Sequence, residues 1–248
     1  MFSQIWLAME PIVIFYIIAS ITLLLIMEGT AVKLLIRQKE VQLQSLKYLI
    51  VSISAFGLVG MASASQVYVL FALVEGIGTI FLLLFVIKTY YRSSLMLSKI
   101  FIGSIILLYV ATFILGVFRL SDDGSELHIA FNILDSLGKI TVSLFFAYSS
   151  HLSLLSLKEY AIESWLEKRY NIITLSAFIF SIQGIASGIT YFLSTQVTAI
   201  FTVISIVCAV LFAVGNYYAW VFLCDKRYNK PTKELSEEEL NTMMEEGN

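Results

Sequence analysis

The chain has 248 residues, of which 58% are apolar and only 14% are charged, and its formal net charge is −2. This composition excludes an ordinary soluble domain and is typical of a protein built mostly from membrane-spanning segments, each of which needs about 20 mainly apolar residues. A net charge this small gives no indication of a nucleic-acid partner, and we expect none. The two cysteines, Cys208 and Cys224, both fall in the last apolar segment, so the sequence indicates no disulfide framework.

Seven apolar segments occupy almost the whole chain, and they predict an all-α integral membrane protein with a seven-transmembrane-helix domain over residues 1–224. The predicted spans cover about 11–33, 47–64, 67–87, 97–118, 128–151, 171–193 and 197–223. We expect the fifth helix to continue beyond its span through 152–169. Residues 225–248 form a tail that is first basic and then acidic. Because the seven segments and their connections take up nearly all of the rest, no soluble domain of useful size remains.

The distribution of basic residues predicts the orientation of the helices in the membrane. Lysine and arginine cluster in the first, third and fifth connections and in the tail, whereas the other connections contain a single Arg119. Because basic residues favour the cytoplasmic side, we expect the N-terminus to lie outside and the C-terminus to be cytoplasmic. The protein is accordingly expected in the cell membrane as a multi-pass protein, with the lipid bilayer as its first partner.

The fifth span contains both an acid and a base in its interior, Asp135 and Lys139. At about 100° per residue, its polar side chains fall within an arc of roughly 100°, and they are His128, Asn132, Asp135, Ser136, Lys139, Ser143 and Ser150. The opposite side consists of Ala130, Leu134, Leu137, Leu144 and Phe145, which suit lipid. A charge placed in hydrocarbon costs at least about 2.5–3.5 kcal/mol, so the polar arc is expected to face the interior of a helix bundle.

Polar groups on two other helices are expected at the same depth as Asp135 and Lys139. With a rise of 1.5 Å per residue, Glu75 on the third span and Gln183 on the sixth also lie about 10–15 Å below the outer edge. The sequence therefore predicts a ligand- or ion-binding site whose residues are Glu75, Asp135, Lys139, Gln183, Asn132, Thr79 and Ser187. Helices three, five, six and seven should line this polar interior, with helices two and four more peripheral.

The chemistry of the site leaves three interpretations open. If Glu75, Asp135 and Lys139 are all ionised, their net charge is −1, which suits a cation or a protonated amine. If burial keeps one carboxyl protonated, the cluster suits a proton relay or a pH sensor. A lysine–carboxylate network that only fixes the helix register is the structural alternative. Separately, Gly184 and Gly188 form a GxxxG spacing, which we interpret as packing inside the bundle in preference to a dimer interface.

Seven spans with an outside N-terminus resemble the architecture of microbial rhodopsins. A retinal protein of that family needs a Schiff-base lysine in its seventh helix, and the seventh span contains none, since Lys226 lies beyond its end. The resemblance is therefore one of topology only. With His128 and His151 at opposite ends of the fifth span and no clustered zinc ligands in the sequence, we expect neither a cofactor nor a metal site, and no enzymatic activity.

Three functions are compatible with this pattern, in order of preference. The first is a receptor or sensor whose polar pocket in the outer half of the bundle binds a small molecule or cation from the outer side and signals to a cytoplasmic protein partner. The second is a small-solute, cation or proton transporter or channel that uses Glu75, Asp135 and Lys139. Against it, no proline interrupts the interior of a span, since Pro11 is at the start of the first span and Pro231 is in the tail, and no internal repeat is visible. The third is a membrane scaffold or assembly subunit.

Overall fold

The computed structural model describes residues 11–41, 45–64, 68–91, 95–119, 125–158, 164–189 and 195–223, and within these ranges the chain forms seven helices and no strands. The helices are α1 (Pro11–Val41), α2 (Leu46–Ala64), α3 (Tyr68–Tyr90), α4 (Leu95–Arg119), α5 (Ser125–Lys158), α6 (Ser164–Ile189) and α7 (Thr195–Tyr217), and α7 continues as a π-helical segment (Tyr218–Phe222). In the described ranges six helices are long and apolar enough to cross a membrane, and α2 has a shorter apolar part, Leu46–Val59. The architecture is consistent with the predicted multi-pass helical bundle.

One predicted helix extent is wrong, and another helix is longer than its predicted span. α1 continues past the predicted span to Val41, because the Lys, Arg, Gln and Glu residues that follow have high helix propensity. The predicted continuation of the fifth helix through 152–169 fails in its second half, since α5 ends at Lys158 and a new helix includes Ser164 onward. Ser164 and Glu167 have the spacing of a capping box, which favours a helix start. The tail 225–248 and Cys224 lie outside the described residues.

The polar arc of α5 faces the interior of the bundle, as predicted. Its described members are all buried: Asn132, Asp135, Ser136, Lys139, Ser143 and Ser150. On the opposite side Leu137 and Leu144 are 47% and 43% exposed. The side chain of His128 lies outside the described residues. The periodicity of this single helix was therefore enough to orient it.

α2 belongs to the centre of the bundle, so its predicted peripheral position is wrong. The ring of Phe56 packs edge-on against Phe180 of α6 at 4.9 Å between centroids and against Phe212 of α7 at 6.3 Å. The Ser52 hydroxyl donates a hydrogen bond to the carbonyl of Gly78 on α3 at 2.8 Å. α2 thus joins α3 to α6 and α7, because a large aromatic side chain rather than a polar stripe sets its orientation. α4 is largely peripheral, as predicted, with 22% of its span buried.

α5 and α6 approach each other closely at the two glycines of the GxxxG spacing. A Cβ atom built on Gly184 would lie 2.8 Å from Cγ1 of Ile140, and one built on Gly188 would lie 2.7 Å from Oγ of Ser136. These distances leave no room for any side chain larger than hydrogen. The prediction that the two glycines pack inside the bundle is confirmed, and the close approach brings α6 against the charged segment of α5.

Substitution of Gly184 by valine is expected to lower the free energy of unfolding by about 1–3 kcal/mol, because the added atoms overlap Ile140. Thermal unfolding of the purified protein in detergent measures this change. Gly103→Val is the matched control, since a Cβ at Gly103 meets no atom within 4 Å. If Gly184→Val altered the oligomeric state and left the unfolding temperature of the folded chain unchanged, the internal packing role would be refuted.

Candidate functional site

Glu75 of α3 and Lys139 of α5 form an ion pair across the interface between these two helices. The two residues are only 1% and 2% exposed. Asp135, one helical turn before Lys139, is 4% exposed, and its Oδ2 lies 3.9 Å from Lys139 Nζ. That distance is within ion-pair range but too long for a hydrogen bond. Lys139 therefore has its main partner on the neighbouring helix, and the expected proximity of Glu75 and Lys139 is confirmed.

The two carboxyl groups of this cluster lie beside the same ammonium group, that of Lys139. Glu75 Oε2 and Asp135 Oδ1 are buried and accept no hydrogen bond from the described part of the chain. A buried acceptor without a donor costs about 1–3 kcal/mol, and a charged one costs more. With two carboxylates and one ammonium, the cluster has a formal charge of −1. It is therefore deficient in one positive charge and one hydrogen-bond donor.

Tyr109 of α4 completes the cluster, although no sequence pattern singled it out. Its hydroxyl donates a hydrogen bond to Oγ1 of Thr79 on α3 at 2.9 Å, and the residue is 4% exposed. Its ring lies between two glycines: a Cβ on Gly76 would lie 3.0 Å from the ring, and one on Gly138 would lie 2.8 Å from it. Each glycine is the sequence neighbour of a charged cluster residue. The glycines therefore admit the ring beside the ion pair.

The remaining predicted site residues are divided between two environments. Thr79 accepts the hydrogen bond from Tyr109, and Asn132 is buried on the same face of α5 as the charged pair. On α6, Gln183 Nε2 donates to Oγ of Ser205 on α7 at 3.0 Å, and Ser187 donates to the carbonyl of Gly184 at 2.9 Å. Gln183 thus links α6 to α7, whereas Thr79 belongs to the cluster with Tyr109.

No protein-family model, curated protein or solved structure matches this chain. The cluster itself therefore provides the basis for a functional assignment. Among the described residues, no three His, Cys, Asp or Glu side chains are grouped so that they could hold a metal ion. The chemistry available at the cluster is that of carboxyl groups, an ammonium group and hydroxyl groups.

Towards the C-terminal end of α5 the interior contains a row of packed aromatic rings. Phe146 is fully buried and packs edge-on against Phe85 of α3 at 5.8 Å between centroids. Phe85 in turn packs edge-on against Trp220 of the π-helical segment at 5.5 Å. The guanidinium of Arg169 on α6 lies 4.0 Å from the centroid of the Trp220 ring, which is a cation–π contact. A row of rings in contact thus extends from Phe146, two turns after Lys139, to Arg169 at this end of the bundle.

The buried charges make the cluster sensitive to the removal of a single partner. Replacing Lys139 by methionine removes the counter-ion of both carboxyl groups and is expected to lower the free energy of unfolding by about 3–5 kcal/mol. The coupling energy between Lys139→Met and Glu75→Gln should exceed that between Lys139→Met and Asp135→Asn, because Lys139 pairs with Glu75 and lies 3.9 Å from Asp135.

Denaturation in detergent of the wild type, the three single variants and the two double variants measures these couplings. Equal coupling energies for the two pairs would contradict the assignment of Glu75 as the main partner. Additive effects, with no coupling in either pair, would show that the ion pair does not form.

Proposed function

We propose that this chain is a multi-pass receptor or sensor of the cell membrane, which binds a small cation from the outer side at Glu75, Asp135 and Lys139 and signals to a cytoplasmic protein partner. The observation that supports it best is the formal charge of −1 in a fully buried cluster whose carboxylates have two unpartnered oxygens. Ionisable residues inside the membrane mark functional sites by default, because their insertion is costly. A bound positive charge would remove that cost.

Occupancy of the cluster would be coupled to helix packing because its members come from three helices. Glu75 is on α3, Tyr109 on α4 and Lys139 on α5. The close contacts at these residues restrict movement of the three helices relative to one another. A ligand shifts a conformational equilibrium by the difference of its affinities for the two states. A cation that binds only when the carboxylates are close together would favour the arrangement in which α3 and α5 are in contact.

Sensing is favoured over transport by the polar groups further along the helices. A transport pathway would need a continuous polar lining, but Ser143, Ser176 and Asn216 each donate to a carbonyl of their own helix, at 2.6, 3.0 and 2.9 Å. Val142 and Phe146 follow Lys139 on the inward face of α5, and both are 0% exposed. The next polar group on this face, the hydroxyl of Ser143, is thus engaged with its own helix and lies between two apolar side chains.

The row of rings supplies a route by which the proposed signal would reach the other end of the bundle. Phe146 lies on the same helix as Lys139, and its contacts lead through Phe85 to Trp220. Trp220 is part of a π-helical segment, a rare geometry that is frequent at functional sites. Because contact alone is not proof of coupling, the response of Trp220 is the quantity to measure.

The proposed orientation is tested by labelling single cysteines from each side of the membrane. In a background with Cys208→Ala and Cys224→Ala, Ser121→Cys should react with a membrane-impermeant maleimide added outside intact cells. Ser236→Cys, in the tail, should react only after the cells are permeabilised. The reverse pattern would overturn the orientation derived from the basic residues.

The proposed function is tested in liposomes with Trp220 as the only tryptophan, which requires Trp6→Phe and Trp165→Phe. We expect the fluorescence of Trp220 to change when the outer pH or the outer sodium concentration is changed, and the ion gradient to persist. Glu75→Gln should abolish the fluorescence change, because it removes the main partner of Lys139. Its unfolding temperature verifies that the variant is folded.

Glu28→Gln is the matched control, because Glu28 is another carboxylate within a candidate span and accepts a hydrogen bond from Ser54 on α2 at 3.1 Å. This variant should respond like the wild type. Dissipation of the gradient by the wild type but not by Glu75→Gln would establish transport and overturn the sensor. A retained gradient with no fluorescence change would leave the scaffold as the function.

A further inference from the structure

We propose that the ligand of the cluster is a proton, shared between the carboxyl groups of Glu75 and Asp135. This inference rests on the proposed function and names the cation that the sensor detects. Its starting observation is that both carboxyl groups lie beside the single ammonium of Lys139, while Glu75 Oε2 and Asp135 Oδ1 accept no hydrogen bond from any described residue. Two buried carboxyl groups that share one counter-ion in this way are stabilised when they also share one proton, because the proton supplies the missing donor.

The cluster is enclosed too tightly for an organic cation. Glu75, Asp135 and Lys139 are between 1% and 4% exposed. On one side the ring of Tyr109 fills the space against Gly76 and Gly138, and on the other side α6 contacts Lys139 through Gly184, at 3.5 Å between a built Cβ and Lys139 Cδ. Pockets for small organic molecules have volumes of about 300–1,000 Å³. A protonated amine would have to separate these helices, whereas a proton requires no added volume.

The donor set is also wrong for a metal ion. Ca²⁺ takes about 6–8 oxygen ligands and Mg²⁺ about six in octahedral geometry. Here the cluster offers the two free carboxylate oxygens, and the hydroxyl of Tyr109 is already engaged with Thr79. The ammonium of Lys139 at the centre of the group would repel a metal cation. A shared proton needs only the two oxygens.

The charges that face the carboxyl pair add up to zero once one proton is bound. α3 contributes Glu75, α5 contributes Asp135 and Lys139, and α4 contributes Tyr109, which is neutral. α6 contacts this segment through glycines, which have no charge. With the proton, the carboxyl pair has a charge of −1 and Lys139 a charge of +1. Loss of the proton at higher pH leaves two like charges side by side in a medium of low dielectric constant, which drives α3 and α5 apart.

This balance predicts a distinctive result for each substitution. In Glu75→Gln, Asp135 alone neutralises Lys139, so no proton is bound. In Asp135→Asn, Glu75 alone does so, with the same result. In Lys139→Met both carboxyls lose their counter-ion, so the variant should bind a second proton and become neutral again. Glu75→Gln and Asp135→Asn therefore lower the number of bound protons from one to zero, whereas Lys139→Met raises it from one to two.

Infrared spectroscopy of the full-length protein in liposomes counts these protons through the carboxylic-acid C=O band. The wild type should show this band near neutral pH, with a shift in D₂O, and lose it as the pH is raised. Glu75→Gln and Asp135→Asn should each lack the band, and Lys139→Met should strengthen it. Glu28→Gln is the control and should leave it unchanged, because Glu28 interacts with Ser54 of α2.

The outcomes separate this inference from the proposed function. If the wild type shows no carboxylic-acid band at any pH, or if the band persists in Glu75→Gln, the shared proton is refuted whether or not Trp220 responds. If sodium chloride removes the band at constant pH, the ligand is a metal cation and the inference is also refuted. If the bands behave as expected while Trp220 does not respond to pH, the proton site stands and the sensor function fails.

Discussion

A lysine ammonium buried in the interior of a helix bundle has to be neutralised by side chains from other helices, and Lys139 imposes this constraint on the bundle. Its main partner, Glu75, is on α3, so these two helices must be in contact at this level. Helices in a membrane gain little from hydrophobic burial against one another, so close packing and polar contacts hold them together. The ion pair between Lys139 and Glu75 therefore specifies the relative position of α3 and α5.

Small residues make this contact geometrically possible. Gly76 and Gly138 are next in sequence to Glu75 and Lys139, and both lie against the ring of Tyr109. Gly184 allows α6 to approach Lys139 from another side. A side chain at any of these positions would move a helix outward and lengthen the distance between opposite charges. Neutralisation of the charges at this site therefore depends on the close packing of the helices.

The sequence was informative about which face of α5 is buried, because the periodicity of one helix determines that face. The angular spacing on α5 placed Asp135 and Lys139 on the buried face, and the depth along two helices brought Glu75 to the same level. Properties that depend on several helices were not accessible. Tyr109 is an isolated polar residue in an apolar span, so it creates no periodic signal, although it hydrogen-bonds Thr79. The central position of Phe56 depends on the rings of two distant helices, which no pattern within α2 specifies.

A comparison of two free energies indicates why the binding of one cation would be enough to change the packing of α3 and α5. Reversing a two-state population from 1:99 to 99:1 requires about 5.5 kcal/mol of differential binding free energy. Burial of one unpaired ion in a protein costs several kcal/mol even after relaxation. The gain or loss of a single charge between Glu75 and Asp135 is therefore of the required size, without contributions from other residues. Packed rings such as Phe146 and Phe85 lie beyond Lys139, so a change in helix packing has a rigid medium through which to act. The hydroxyl of Ser143, which follows Lys139 on the same face, is already engaged with the carbonyl of Lys139 and is a poor ligand for a migrating ion.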